Sequence, residues 1–333
     1  MKAPSTQTSE RSWRPYRDQA LDLAGKLGPL LSFVIVTTFF ALTARNFFTW
    51  HNGLNIGVQA AVYAILAIGE TFVIVSAGID LSVAAVAALS GVVGAVTMRA
   101  GHGTAAGIAA GLATGAGIGL INGAISAYGN MPSFIVTLGT MLICRGLALK
   151  AAGGMNVSGL TDGFSEYLGG TFNSGEWYEI RVPILIMAAS AVLAHLVLTR
   201  TRLGRYTYAI GSNAEATRLS GVNVRKYQTC IFVMSGFLAG LAGLVQATRI
   251  SVGSPTTAEW YELSAIAAAV IGGASLMGGQ GSIGGTIIGA LLIGVVANGL
   301  DLRNADPYWQ KIATGAIIVF AVFLDRLRRQ RRS

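Results

Sequence analysis

The sequence predicts an all-α polytopic membrane protein with about ten transmembrane helices. Of its 333 residues, 53% are hydrophobic and only 12% are charged, whereas charged residues make up about a quarter of an ordinary soluble domain. The apolar residues form runs of about 20, the length that crosses roughly 30 Å of hydrocarbon. The basic residues lie in short segments between these runs, so we expect no nucleic-acid-binding surface despite the net charge of +9.

The chain divides into three regions. Residues 1–27 are polar and basic and predict a cytoplasmic N-terminal arm, residues 28–325 form the transmembrane domain, and residues 326–333 form a basic cytoplasmic tail. Ten candidate spans cover 28–44, 57–77, 82–98, 104–127, 132–150, 182–198, 228–248, 263–277, 284–300 and 309–324.

The distribution of Lys and Arg orients the chain. With the N-terminus inside, sixteen of these residues fall in inside segments and seven in outside segments, which predicts that both termini are cytoplasmic. Loop 151–181, rich in Gly, Asn and Ser, is then extracytoplasmic. Residues 263–300 contain no charge, so they are equally compatible with a hairpin that does not fully cross.

Glycine recurs at every fourth position of the fourth span. Such faces let helices approach closely in lipid, and we expect tight packing within the subunit, with a subunit interface as the alternative. The six glycines are Gly103, Gly107, Gly111, Gly115, Gly119 and Gly123. A faint internal repeat also aligns 64–93 with 267–296, and transporters are often built from such repeats.

Ionisable residues inside apolar runs are costly in lipid and often functional. Glu70 lies deepest. The sequence is equally compatible with a Glu70 side chain that lines a solute path and with a neutral Glu70 carboxyl packed between helices. Asp80 follows in a turn, where it is also a candidate N-cap for the next helix. Arg145 lies near the end of its span and is compatible with snorkelling to the interface.

The central loop 199–228 is the longest basic interruption between apolar runs. Ser212 followed by Glu215 reads as a capping box at a helix start, and Gly221 fits the helix end. A helix of about eight residues is too short to be stable alone. It must therefore be stabilised by packing against the membrane bundle or against a partner.

Nothing in the sequence indicates an enzyme. Gly279, Gly281 and Gly284 match GxGxxG, but they lie in an apolar hairpin without the strand that a dinucleotide site requires. There is no Walker A sequence for ATP, and the three histidines are too scattered for a metal site. We therefore expect no metal and no cofactor in this chain.

Four segments together resemble a known family. AIGETFVIVSAGIDLSV at 67–83, PSFIVTLGTM at 132–141, the loop at 204–224 and the long stretch at 261–300 are similar to the permease subunits of bacterial ABC importers for ribose, xylose, arabinose and related monosaccharides. The resemblance covers most of the chain from about residue 50. It implies the ABC importer permease fold in the inner membrane.

The resemblance also implies partners. In the family, a coupling helix in the central loop seats in a separate ATPase subunit, which binds ATP and Mg²⁺, and Glu215, Ala216 and Gly221 match its E-A-x4-G spacing. Thr217 departs from the Ala common there. A sugar-binding protein delivers the solute, and a second permease subunit, expected to be an identical copy, completes the path. The residues expected to couple to the ATPase are Ser212, Asn213, Glu215, Ala216, Arg218 and Gly221.

A monosaccharide's hydroxyls need only a few polar groups along the path. The candidates are Glu70, Asp80, Asn122 and Asn298, with Asn130 and Gln246 as further guesses. Three alternatives stay open. They are an ion-coupled secondary transporter that uses the two carboxylates, a branched-chain amino acid ABC permease, and a membrane scaffold without transport. The sequence does not select the sugar.

Overall fold

A computed structural model describes residues 14–173, 175, 179–306, 308–316 and 319. Side chains are described from residue 28 onward, with the exception of residue 162. Residues 1–13 of the predicted N-terminal arm, the whole basic tail and part of the tenth predicted span lie outside the described residues.

The described chain is almost entirely helical. Strands β1 (Thr171–Phe172) and β2 (Ile180–Arg181) pair antiparallel inside the predicted extracytoplasmic loop, with Thr171 opposite Arg181. The helices are α1 Arg14–Thr43, α2 Trp50–Val75, α3 Val83–Thr97, α4 Gly103–Tyr128, α5 Ser133–Ala152, α6 Asp162–Gly169, α7 Val182–Arg200, α8 Arg202–Ser212, α9 Ala214–Leu219, α10 Val224–Ile250, α11 Tyr261–Ile271 and α12 Ile283–Leu302.

Six helical segments among the described residues are long and apolar enough to cross a membrane, so the chain is a multi-pass membrane protein. One of them, Val83–Tyr128, contains α3 and α4 joined by a π-helical turn in which Gly101 has φ +85°. An added Cβ at Gly94 would lie 3.1 Å from the Gly107 oxygen, and one at Gly111 would lie 2.9 Å from the Ser90 oxygen. These contacts show that α3 and α4 fold back antiparallel. The predicted count of ten spans is not confirmed.

The eighth predicted span, 263–277, is wrong in its extent. Helix α11 covers only Tyr261–Ile271, and residues 272–282 form a loop in which Gly273, Gly278 and Gly279 all have positive φ. Left-handed glycines cannot continue a right-handed helix, which explains the early end. The loop then leads into α12.

Helix α2 forms the centre of the bundle. In the most apolar 18-residue stretch of α2, 89% of the residues are buried, compared with 28% in the corresponding stretches of α5 and of α7. Phe72 and Ile65 on α2 are among the largest fully buried side chains. Helices α5 and α7 therefore lie at the periphery and present apolar side chains outward.

The glycine face of α4 packs inside the subunit, as expected. A Cβ at Gly115 would collide with the Gly236 carbonyl on α10, and one at Gly119 would collide with the Phe232 carbonyl on the same helix. The face continues at Gly123, where a Cβ would lie 2.7 Å from the Thr229 Cα atom. Backbone contact of this kind is what small-residue faces permit in lipid.

The faint internal repeat corresponds to a repeated helix–turn–helix unit. Residues 76–82 separate α2 from α3, and residues 272–282 separate α11 from α12. The two turns lie at the same end of the bundle and touch, since an added Cβ at Gly278 would lie 2.7 Å from the Ala77 Cβ. Beside this contact, the Gly279 N–H donates to the Val75 carbonyl at the end of α2 over 2.8 Å. We call residues 76–82 the first turn and residues 272–282 the second turn.

Candidate functional site

The first turn interrupts the helical backbone in the bundle interior. Helix α2 ends at Val75, and Ala77 takes a left-handed φ of +63°. Asp80 and Ser82 in this turn are both at most 2% exposed. Backbone N–H groups without partners are costly in a membrane interior, so the turn needs other acceptors.

Helix α5 supplies two of these acceptors. The Ile79 N–H donates to the Ser133 hydroxyl over 3.1 Å, and the Leu81 N–H donates to the Thr137 hydroxyl over 3.1 Å. Residues 133 and 137 lie four positions apart and therefore on one helix face. Sequence reasoning missed both residues, although this spacing within PSFIVTLGTM was the available signal.

Glu70 and Asp80 satisfy the other two N–H groups. The Asp80 N–H donates to Glu70 Oε1 over 3.1 Å, and Asp80 Oδ1 accepts from the Ser82 N–H at 2.9 Å and from the Ser82 hydroxyl at 2.6 Å. The Ser235 hydroxyl on α10 donates to Asp80 Oδ2 over 3.4 Å. Four consecutive N–H groups, from residue 79 to residue 82, are thus bonded by side chains.

Asn122 extends this network between α4 and α5. Its amide Nδ2 donates to the Ser82 hydroxyl over 2.9 Å, and its Oδ1 accepts from the Thr140 hydroxyl at 2.7 Å. Glu70, Asp80 and Asn122 are at most 2% exposed, so they line no open channel in this conformation. Glu70 Oε2, however, has no hydrogen-bond partner among the described residues.

The structure brings three of the four predicted path residues together and separates the fourth. Asn298 donates through Nδ2 to Asn52 Oδ1 over 2.9 Å at the opposite end of the bundle. Along α2, Asn52 lies roughly 27 Å from Glu70 at 1.5 Å per residue. Asn298 therefore belongs to a different site. Of the further guesses, Asn130 is exposed, and Gln246 donates to the Thr257 hydroxyl over 3.2 Å.

The predicted coupling helix is α9, but its cap differs from the expectation. Ser212 is the last residue of α8, and Asn213 is the N-cap, with its Oδ1 accepting from the Ala216 N–H at 2.9 Å. Asn213 is extended, with φ −161° and ψ 98°, and this separates the two helices one residue later than predicted. The capping box is therefore wrong, because Glu215 does not reach back to the cap.

Glu215 instead pairs with Arg218 on the outer face of α9. Arg218 donates to both carboxylate oxygens, through Nη2 at 2.6 Å and through Nε at 3.0 Å. This hydrogen bonding, together with the positive charge, holds the pKa of Glu215 below its ordinary value. Both side chains stay about two-thirds exposed, at 65% and 63%.

Most of the remaining surface of α9 is exposed, and only Thr217 is buried. Gly221 has φ +82°, which confirms the predicted helix end. Thr217, which departs from the family pattern, is only 7% exposed and bonds the Asn213 carbonyl, so the departure lies on the inner side. Leu219 is 75% exposed, an apolar side chain available to a partner.

No group of three or more His, Cys, Asp or Glu side chains in the described part of the chain is placed to hold a metal ion. The two candidate sites are instead a closed turn held by hydrogen bonds and an exposed helix.

Comparison with known proteins identifies the family. The family model described as branched-chain amino acid transport system / permease component matches residues 52–322. The chain belongs to this permease family. The permease is 41% identical over 298 residues to the ribose import permease protein RbsC of Escherichia coli (strain K12), which covers 89% of this chain and 92% of the relative.

Other relatives carry related names. The ribose import permease of Bacillus subtilis (strain 168) is 39% identical and covers 98% of this chain and 99% of its own. The L-arabinose transport system permease of Escherichia coli (strain K12) is 37% identical and covers 91% of each chain. No solved structure matches the permease at a significant level.

Proposed function

We propose that this chain is the membrane permease subunit of an ATP-driven importer that moves a monosaccharide across the inner membrane. The observation that carries the proposal is the near full-length similarity to permeases named for ribose, D-allose and L-arabinose, at 37–42% identity. These names share a chemical class, namely small neutral sugars. Ribose, allose and arabinose differ in hydroxyl configuration and size, so the proposal stops at that class.

Energy enters through a separate ATPase subunit that binds ATP and Mg²⁺. The support is α9, which is short, capped by Asn213 and exposed on its Glu215–Arg218 side. A rigid exposed helix transmits the movement of a docked subunit to the helices attached at its two ends. Those helices are α8 and α10. The α9 end of the bundle is accordingly the cytoplasmic end.

Two further partners complete the proposed importer. A sugar-binding protein delivers the solute at the opposite end, where loop 151–181 lies. A second copy of the chain forms the other wall of the path. Support for the second copy comes from the exposed face of α5, where Gly139 and Gly146 have nothing within 4 Å of an added Cβ. Open glycines on an outward face of a membrane helix allow another backbone to approach.

A branched-chain amino acid is the second candidate substrate, because the family model is named for it. A zwitterion needs complementary charges along its path. In the described structure, the buried Glu70 and Asp80 carboxyls are bonded to the backbone of the first turn and are closed to the surface. This arrangement favours the neutral sugar.

The test is ATP-dependent uptake in proteoliposomes that contain the permease, its ATPase and its binding protein. A panel of ribose, allose, arabinose and xylose is compared with leucine and valine. We expect one or more sugars, and neither amino acid, to stimulate both ATP hydrolysis and uptake. Uptake by the permease alone, driven by an ion gradient, would instead support a secondary transporter.

The docking step is tested by Glu215→Arg, which places two like charges beside each other on α9. We expect the ATPase subunit no longer to co-purify with this variant. Glu166→Arg is the matched control, because Glu166 is exposed on α6 within the predicted extracytoplasmic loop. Equal loss of the ATPase in both variants would contradict the role of α9.

A further inference from the structure

Helix α8 meets the second turn and the C-terminal end of α2 at one junction. Its Tyr208 hydroxyl donates to the Gly281 carbonyl of the second turn over 2.8 Å. Near its end, an added Cβ at Gly211 would collide with the Val75 carbonyl at the end of α2 and would lie 2.6 Å from the Gly279 nitrogen. This contact of backbone with backbone explains why only glycine fits at position 211.

The second turn is held from both sides at this junction. The Gly279 N–H donates to the Val75 carbonyl over 2.8 Å, so the second turn is bonded to the end of α2. The Gly281 carbonyl accepts from Tyr208, so the same turn is also bonded to α8. Of the three glycines that formally match GxGxxG, Gly279 and Gly281 therefore allow close packing against α8 and α2, whereas an added Cβ at Gly284 has nothing within 4 Å.

The junction connects α9 to the buried network. Helix α8 ends at Ser212, and α9 begins at Ala214, with only Asn213 between them. On the other side, the helix that ends at Val75 carries Glu70, which bonds the first turn. A displacement of α9 therefore reaches α2 and α12 through α8.

We propose that Tyr208 is a positioning residue, whose hydrogen bond to Gly281 ties the second turn to α8 and makes ATP hydrolysis productive for transport. This inference rests on the proposed function, because it assumes that an ATPase acts on α9. Packing at Gly211 lets α8 push on the second turn when the helix approaches it, but packing alone cannot pull the second turn when α8 moves away. The hydroxyl supplies a bond that transmits movement in both directions.

The decisive variant is Tyr208→Phe, which removes one hydroxyl and keeps the ring. Tyr206→Phe is the matched control. Tyr206 lies on the same helix, is half-buried like Tyr208, and packs its ring on Tyr227 at 4.5 Å between centroids. Both variants are reconstituted as complete importers, and the quantity measured is sugar transported per ATP hydrolysed. Mere loss of folded protein lowers both rates together and leaves this ratio unchanged.

We expect Tyr208→Phe to lower the transport-to-hydrolysis ratio about fivefold, the shift produced by loss of one hydrogen bond of ordinary net strength. The ATPase subunit should co-purify as with wild type, and Tyr206→Phe should keep the wild-type ratio. An unchanged ratio in Tyr208→Phe, or an equal fall of the ratio in both variants, overturns the inference about Tyr208. In either case, sugar-dependent ATP hydrolysis by wild type still upholds the proposed function. Wild type without sugar-dependent hydrolysis overturns both.

Discussion

Replacing Gly115 by alanine should loosen the contact between α4 and α10. The new Cβ would collide with the Gly236 carbonyl and lie 2.9 Å from both the Cα and the nitrogen of Gly240. All of these are backbone atoms, so no side-chain rotation can relieve the contact, and the two helices must separate. Overpacking of this kind costs about 1–3 kcal/mol.

Gly117 provides a matched control on the same helix. An added Cβ at Gly117 has nothing within 4 Å. Both substitutions gain the same helix propensity, about 1 kcal/mol for alanine over glycine, so this gain cancels in the comparison. The difference between Gly115→Ala and Gly117→Ala therefore isolates the cost of the contact.

The assay is thermal unfolding of the two variants in the same detergent. A loss of 1 kcal/mol lowers Tm by about 2–4 °C in proteins of 150–250 residues, so Gly115→Ala should melt several degrees below Gly117→Ala. Melting of both variants at the same temperature would refute the tight packing of α4 on α10. It would also return the glycine face to the alternative of a subunit interface.

Three further predictions concern the polar contacts. Asn122→Ala should lower the free energy of unfolding by about 1–3 kcal/mol, because it leaves the buried Ser82 and Thr140 hydroxyls without their partner. Asn55 is exposed, so Asn55→Ala should change the free energy of unfolding little, and equal thermal stability of the two variants would contradict the prediction. Arg145 donates to the Pro255 and Thr257 carbonyls at 3.0 and 2.8 Å, so Arg145→Met should speed hydrogen exchange in that loop, and unchanged exchange would speak against the tether. Because the pKa of Glu215 is lowered in the folded chain, the contribution of its ion pair to stability should be constant from pH 7 to about 5 and be lost only as the pH falls through the lowered pKa. NMR titration of the Glu215 carboxyl checks this prediction. A titration midpoint at or above the ordinary value for a glutamate would contradict it.

The sequence predicted the helical membrane class and the α9 segment because both leave strong local signals. Apolar runs mark helices through composition alone, and Gly221 marks a helix end through its backbone freedom. The Asn213 cap was missed by one residue, because Ser, Asn and Asp all cap helices well and nothing local selects among neighbours. The end of α11 was missed because glycine is nearly neutral in hydropathy, so the uncharged residues 272–277 still continue the apolar run.

The partners in the buried network could not be predicted from the sequence, because they depend on packing. Glu70 and Asp80 were recognised as unusual, but Ser133 and Thr137 look like ordinary residues of an apolar helix. Ser133 is 54 positions from Ile79, the group it bonds. Pairing at such a separation follows from the way α5 packs on the first turn. The four-residue spacing of Ser133 and Thr137 marks a polar face of α5 but does not identify the groups that this face bonds.

The two helix breaks satisfy their backbone groups in different ways, and this difference indicates where movement can enter. The first turn is bonded by side chains from α2 and α5 that are buried in the bundle, so displacing it would leave several polar groups unsatisfied at once. The second turn is held by the Tyr208 hydroxyl, by the bond from the Gly279 N–H to the Val75 carbonyl, and by packing of glycine on glycine. Fewer bonds hold the second turn, and one of them comes from the helix that adjoins α9. A force applied at α9 should therefore shift the second turn and α12 before it disturbs the first turn around Glu70 and Asp80.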